Sequence, residues 1–275
     1  MRLAAPVTGK LEVTRDAAGL IRVPVEINGK SRDAVIDTDS SFSVLSESTA
    51  RRLGVRVLEK GATILTSTQP DLPMHLGVAD ELKFGDAVFS NVVFVVLPDK
   101  AVQFARGYKM DVVVGLPVFV ALGRIELANE NGWESLHYGA KPGAAGEANM
   151  LLTGLDPFAL VTCEKARGPL RLAIDSAAST TTLNGTALKD FPTLGEGALH
   201  GWAHWEGGGG SATDYNALTV PEMKFAVAGR SIVLRHLKIL SADEGDRHGA
   251  IGQDVLKQGK RWALDFDAMS FTVGD

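Results

Sequence analysis

The chain has 275 residues, a net charge of −5, one cysteine, and 45% hydrophobic against 22% charged residues, the composition of a globular protein long enough for two ordinary domains. The acidic balance argues against nucleic acid as a partner, which needs clustered Lys and Arg to displace counterions. The longest apolar run, residues 112–123, contains Pro117 and falls short of the ~20 residues a membrane span requires, while a lone cysteine excludes an internal disulfide.

The first six residues carry a charge but no apolar stretch, so they are not a complete signal peptide. The expected location is the cytoplasm, or the periplasm or exterior if a signal has been removed. Residues 11–22 read as a hairpin arm turning at 16–19. Val23, Val25 and Ile27 then alternate with other residues, the period of a half-buried strand, and Asn28-Gly29 is a strong hairpin turn. The returning strand runs into Asp37. Ser46 is a good N-cap for a helix over Glu47–Leu53, with Gly54 suited to end it. Residues 82–97 predict two strands around Gly85-Asp86, and 98–109 a loop without an assigned role.

Residues 139–149 are rich in Gly, Ala and Pro with no periodic apolar face, the character of a linker. They divide the chain into lobes at 1–139 and 150–275, joined by 140–149. Cys163 shares the core-facing register of Val161 and reads as a small buried hydrophobe rather than a nucleophile. A second short helix is expected from Asn184 to the residue before Pro192. Residues 200–215 place Trp202 and Trp205 beside a run of four glycines. This is a hairpin tip with apolar anchors, serving either as a lid on substrate side chains or with its tryptophans tucked against their own lobe. His200 and His204 stand four apart, but Gly201 and the glycine run argue against a helix that could use that spacing for a metal. No metal and no cofactor are expected.

The dominant feature is a repeat. Val35-Ile36-Asp37-Thr38-Asp39-Ser40-Ser41 returns as Ala173-Ile174-Asp175-Ser176-Ala177-Ala178-Ser179. Each copy is an apolar strand ending in Asp, a hydroxyl residue and small neighbours. Gly115 of Val113-Val114-Gly115 follows Asp37 by 78 residues, and Gly252 of Ala250-Ile251-Gly252 follows Asp175 by 77. Leu45 and Leu183 each lie eight residues beyond the Asp, and Arg124-Ile125-Glu126-Leu127 stands over Arg261-Trp262-Ala263-Leu264. A carboxylate at the end of a buried strand is costly to desolvate. Two in matching positions suggest a facing pair that shares a proton.

This arrangement resembles the aspartic proteases, with retropepsin-like lobes fused in one chain in the two-lobed manner of pepsin. The resemblance rests on the Asp-hydroxyl triplets, on the apolar-apolar-Gly segments, and on the run from Gly252-Gln253-Asp254 to Leu264-Asp265-Phe266. It implies an all-β, pseudo-twofold acid-protease fold in a monomer with a peptide or protein substrate between the lobes. Asp37 and Asp175 are then the catalytic pair, activating a water for peptide-bond hydrolysis. Thr38 and Ser176 would cross-link the two loops, the Ser40 and Ser41 hydroxyls would be candidates for bonding the outer oxygen of Asp37, and in the second lobe, where Ala178 removes one such hydroxyl, Ser179 would remain. Residues 62–78 and 200–215, the latter with Trp202 and Trp205, take the place of flaps. Two positions depart from the family pattern: its triplet glycine is Asp39 in the first lobe and Ala177 in the second. Ala177 adds one methyl. Asp39 puts a third carboxylate beside the pair, which must turn to solvent or to an arginine. Two functions stay open: an aspartic-type endopeptidase, and a relative that binds peptide or protein without cleaving it.

Overall fold

The computed structural model describes residues 1–66, 68–104, 108–139, 147–208, 210–227 and 229–274. Of the expected linker at 140–149, residues 140–146 lie outside the described residues, as do 105–107 of the loop at 98–109 and Gly209 of the glycine run.

The described residues form three sheets. Nine strands before residue 115 make one, eight strands between residues 150 and 251 make another, and five strands drawn from both halves make the third. The first two repeat the same connectivity. In the first, Ile21–Ile27 pairs antiparallel with Lys30–Ile36 through the predicted turn, where Asn28 and Gly29 both adopt positive φ. In the second, Asp156–Cys163 pairs antiparallel with Leu170–Ile174. Each returning strand then lies parallel to a short apolar strand from much later in the chain, Val112–Val114 in one case and Gly249–Ile251 in the other. Val112–Val114 and Gly249–Ile251 are buried along their whole length, which is why they carry no polar residue.

The third sheet joins the halves. Its centre is the antiparallel pair Arg124–Glu130 and Arg261–Asp265, which places Leu127 opposite Trp262, and its outer strands are Gly9–Glu12 and Ser270–Gly274. The expected arm at 11–22 is therefore split. Thr14–Arg15 does fold back on Ile21 and Arg22, but Gly9–Glu12 leaves to pair with Trp133–Tyr138.

Both predicted helices form. Ser46 accepts a hydrogen bond from the Thr49 N–H, and Gly54 ends Glu47–Leu53 in the left-handed conformation. Asn184 caps Gly185–Asp190 in the same way. The main apolar core runs through both halves, with Phe84, Phe94, Phe119, Trp262 and Phe271 buried in it, and Cys163 is part of it. Among the described residues, no helix is long and apolar enough to cross a membrane.

Candidate active site

Asp37 follows Lys30–Ile36 and Asp175 follows Leu170–Ile174, each just past the end of a central strand. Parallel pairing continues one step further in both, because the Asp37 N–H donates to the Val114 carbonyl at 3.1 Å and the Asp175 N–H to the Ile251 carbonyl at 3.0 Å. The chain then turns, and the turn is built around the carboxylate. Asp37 Oδ1 accepts the N–H groups of Asp39 and Ser40, both at 3.1 Å. Asp175 Oδ1 accepts those of Ala177 and Ala178, both at 2.8 Å.

The two turns are locked to each other by their hydroxyls. The Thr38 N–H donates to Ser176 Oγ and the Ser176 N–H to Thr38 Oγ1, each at 3.1 Å. In return, Ser176 Oγ donates to the Ile36 carbonyl at 2.7 Å, and Thr38 Oγ1 donates to the Ile174 carbonyl. Both residues are fully buried, so the four bonds satisfy groups that water cannot reach. The segments ending in glycine also match. Added β-carbons would lie 2.3 Å from the Phe42 carbonyl oxygen at Gly115 and 2.7 Å from that of Thr180 at Gly252, so only glycine lets the backbone pass behind each turn. The Gly115 N–H donates to Ser43 Oγ at 3.1 Å and the Gly252 N–H to Thr181 Oγ1 at 2.9 Å. Ser43 and Thr181 each stand six residues after the Asp. The sequence reading passed over them, although the repeat alignment pairs them.

Asp39 turns to an arginine. Its Oδ2 accepts from Arg247 Nη2, which comes from the loop at 241–248 of the second half. Asp39 Oδ1 is buried and has no hydrogen-bond partner among the described residues. Arg247 is held in turn by Glu244 at 3.4 Å and by the Asn184 amide, which donates to its carbonyl at 2.8 Å. Next to it, His248 is fully buried. The Arg171 N–H donates to His248 Nδ1 at 3.0 Å, and His248 Nε2 lies 2.9 Å from Asp190 and 3.1 Å from the Arg171 guanidinium. Nothing in the local sequence marks Arg247, 208 residues away from its partner.

The electrostatics follow from burial. Desolvation, then the charge on Asp39, raises Asp37 to about 7 against the Asp39 and Ser40 N–H groups and Arg247. Desolvation, then the charge on Asp37, raises Asp175 to about 7 as well. Asp39 is lifted to about 7 chiefly by burial, with Arg247 opposing and Asp175 and Asp156 adding repulsion. Burial works against the Arg247 cation, but Asp39, Glu244 and Asp175 outweigh it and keep the guanidinium charged. Of the three carboxyls only Asp39 makes an ion pair among the described residues, and that contact opposes the effect of its burial. The Asp37 charge is felt at Asp175, where it adds to the effect of burial. Among the described residues, no group of His, Cys, Asp or Glu is arranged to hold a metal ion. His204 lies opposite Asp214 and bonds it at 2.8 Å.

Several expected contacts go elsewhere. Ser40 contributes its N–H to Asp37, while its hydroxyl donates to the Phe42 carbonyl at 2.8 Å. The Ser41 hydroxyl donates to Asp156 at 3.1 Å. Ser179 is exposed. Two hairpins project from the halves, Arg56–Ile64 with Leu72–Phe84 and Leu199–Gly207 with Ser211–Val227. Their tips meet: Thr68 Oγ1 donates to the Gly208 carbonyl at 3.1 Å and lies 2.7 Å from Ser211 Oγ. Trp202 and Trp205, three apart on one strand, face opposite sides. Trp205 is half-buried, whereas Trp202 is 67% exposed.

Residues 23–118 match the sequence model of the aspartyl protease family. No curated protein sequence matches the chain. The aspartic proteinase of Irpex lacteus aligns over 98% of this chain and 98% of its own, with a TM-score of 0.57 at 11% identity. The chain has the two-lobed aspartic-protease fold. A retropepsin-like aspartic protease from Rickettsia conorii aligns with 50% of this chain and 96% of its own, with a TM-score of 0.35 at 13% identity. Within this aspartic-protease-fold protein the family match takes in Asp37, its turn and Gly115, while Asp175 and Arg247 lie outside the matched residues.

Proposed function

We propose that this protein is an aspartic-type endopeptidase acting as a monomer, with lobes at 1–139 and 150–275 and an extended peptide or protein substrate bound between them. Asp37 and Asp175 hold one proton and a water. The ionised carboxylate takes a proton from the water as its oxygen bonds to the peptide carbonyl carbon, and the protonated carboxyl donates to the developing oxyanion. When the C–N bond breaks, the departing amine takes the proton that the first carboxylate drew from the water, a hydroxyl on the same carbon returns its proton to the second carboxylate, and the pair regains its starting state with a carboxylic acid and an amine released. Thr38 and Ser176 hold the two turns in register, and Ala177 and Ser40 serve through their backbone N–H groups. The observation that carries this reading is the reciprocal Thr38–Ser176 bonding between two matching carboxylate turns. Both carboxyls are raised to about 7, which supports a shared proton near neutrality.

One observation favours a second reading, a protein that binds peptide without cleaving it. The Asp39–Arg247 ion pair joins the two halves beside the carboxylates and adds charge where the family pattern has glycine. Incubation with a diverse peptide mixture, read by mass spectrometry, separates the two. An endopeptidase releases fragments, and Asp37→Asn and Asp175→Asn each lower that release by about 10²–10⁴-fold while the circular dichroism is unchanged. Fragments released equally by both variants would sink the dyad assignment. Retained peptide with no fragments at any pH favours the binding protein.

A further inference from the structure

The repeat extends to the outer strands of the sheets, and there the two halves differ. In the first half, Ala87–Leu97 is covered near its start by Arg2–Leu3. Arg2 stands opposite Ser90 and Leu3 opposite Phe89, antiparallel, and the Ala4 N–H donates to the Val88 carbonyl at 2.9 Å. Main-chain groups alternate in direction along a strand, so Val88 and Ser90 both face the added strand. The second half has the same frame. Leu45 pairs with Val96 as Leu183 pairs with Ile239, and Phe84 stands opposite Ala87 as Val227 stands opposite Arg230. Ser231 and Val233 of Arg230–Leu240 therefore correspond to Val88 and Ser90. Among the described residues, no strand pairs with them on that outer side. The Val233 carbonyl accepts the Gln258 side-chain amide at 3.3 Å, in keeping with a main chain that faces outward here. Val233 is 37% exposed and, with Glu222, Arg235, Asp254 and Gln258, borders an open groove of about 400 Å³. Arg235 is paired with Glu222 at 3.3 Å, which leaves Asp254 as the unbalanced charge of the lining.

We propose that this edge docks an extended segment of a partner protein, added antiparallel along Ser231–Val233 as a further strand of the second sheet, with a basic residue followed by an aliphatic one. The pattern for the occupant is on the molecule itself, because Arg2-Leu3-Ala4 fills the equivalent edge of the first half. The partner's main chain supplies donors and acceptors to Ser231 and Val233, groups that a bare edge leaves to solvent. Gln258, whose amide holds the Val233 carbonyl in the free protein, swings away as the strand enters. A basic residue opposite Val233, where Arg2 stands opposite Ser90, meets the charge of Asp254, and an acidic one there is repelled.

The ¹⁵N-labelled full chain tests this by NMR, with the peptide Met-Arg-Leu-Ala-Ala-Pro, the sequence of residues 1–6, as the probe. At millimolar concentration the peptide is expected to move the Ser231 and Val233 amide signals together and to slow their hydrogen exchange. Val233→Pro removes an outward N–H and leaves the ladder to Ser211–Val227 intact, and it is expected to weaken binding by about tenfold. Gln258→Ala frees the Val233 carbonyl and is expected to tighten binding by about threefold. Glutamate in place of the peptide's arginine is expected to weaken it severalfold. Silent Ser231 and Val233 amides at tens of millimolar peptide overturn the site. Shifts confined to Val88 and Ser90 overturn it too, since the peptide would then only displace the N-terminal strand. Equal binding by Val233→Pro overturns strand addition, weaker binding by Gln258→Ala overturns the displacement of Gln258, and equal binding of the glutamate peptide overturns the charge preference. Shifts of the same amides on concentrating the protein alone would make the occupant a second copy and overturn the assignment to another protein. None of these readouts depends on peptide cleavage.

Discussion

The two aspartate turns share their backbone and differ in their charge. In both, Oδ1 takes two successive N–H groups, a hydroxyl reaches across to the other turn, and a glycine passes behind. At the third triplet position they part. Ala177 packs against an apolar cluster that includes Leu20, Val35 and Val113 of the first half. Asp39 instead carries a carboxylate that is met by Arg247 from the second half. What the repeat keeps is the hydrogen-bond geometry that aims the carboxylates. What it releases is the side chain beside them, and charge is balanced between the halves rather than within each one.

The strongest way to break this comparison is to remove one hydroxyl of the cross-link. Thr38→Val and Ser176→Ala each strand a buried N–H and a buried carbonyl, and each should cost about 2–4 kcal/mol in urea unfolding. Equal costs are expected from equivalent turns. A large inequality between them would show that the turns are not mechanical equals.

Next in size is the dependence of stability on pH. Asp37, Asp39 and Asp175 all rise from 3.8 to about 7 on folding. Between those values the folded chain binds more protons than the unfolded one, so the slope of stability against pH is negative. Their contribution is fully present below about 4 and is lost as pH rises through about 7. Asp37→Asn and Asp175→Asn should therefore raise Tm at pH 7–8 and flatten the slope over this window. Melting curves of the three proteins across that range check it, and a lower Tm for both variants at pH 8 would contradict the assignment.

Asp39 and Arg247 should move the chemistry in opposite directions. Asp39→Gly removes a negative charge beside Asp37 and frees Arg247, and both changes lower the pair's proton affinity. The upper limb of the cleavage profile should then fall by about one pH unit. Arg247→Ala leaves Asp39 unbalanced and should raise that limb by a similar amount. Profiles that move together, or not at all, would separate the ion pair from the dyad. The smallest effect is expected on the second hairpin. Trp202→Ala should change stability by no more than about 0.5 kcal/mol, whereas Trp205→Ala, on the half-buried face, should cost measurably more.

Much of the fold and part of the site could be read from the chain because they depend on local chemistry. Asn28-Gly29, Ser46 and Asn184 act on their own neighbours, and each does in the structure what its residue type favours. Asp37 and Asp175 stand out because the repeat sets them at matching positions, each after an apolar strand and before a hydroxyl residue. Ser43 and Thr181 were available to the same logic. Arg247 was not: its partner is remote, and the loop that carries it has no matching arginine in the first half. The destination of Gly9–Glu12 was equally hidden, since its partner strand begins at Trp133. Hydroxyl directions at Ser40 and Ser41 depend on which acceptor the tertiary fold brings near, and that is not a property of their spacing.

The pairing of Asp39 with Arg247 also bears on why two such lobes belong in one polypeptide. In an isologous homodimer every residue appears twice, related by the twofold axis. Two copies of the first lobe would bring two Asp39 side chains to the axis alongside two Asp37, four acids with no guanidinium from the 241–248 loop to balance them. Two copies of the second would bring a pair of Arg247 with no Asp39 to meet them. One added acid matched by one added base at the axis is open only to a chain whose halves can be mutated independently. Covalent fusion turns the site from one that must obey symmetry into one that can carry a single acid on one side and a single base on the other.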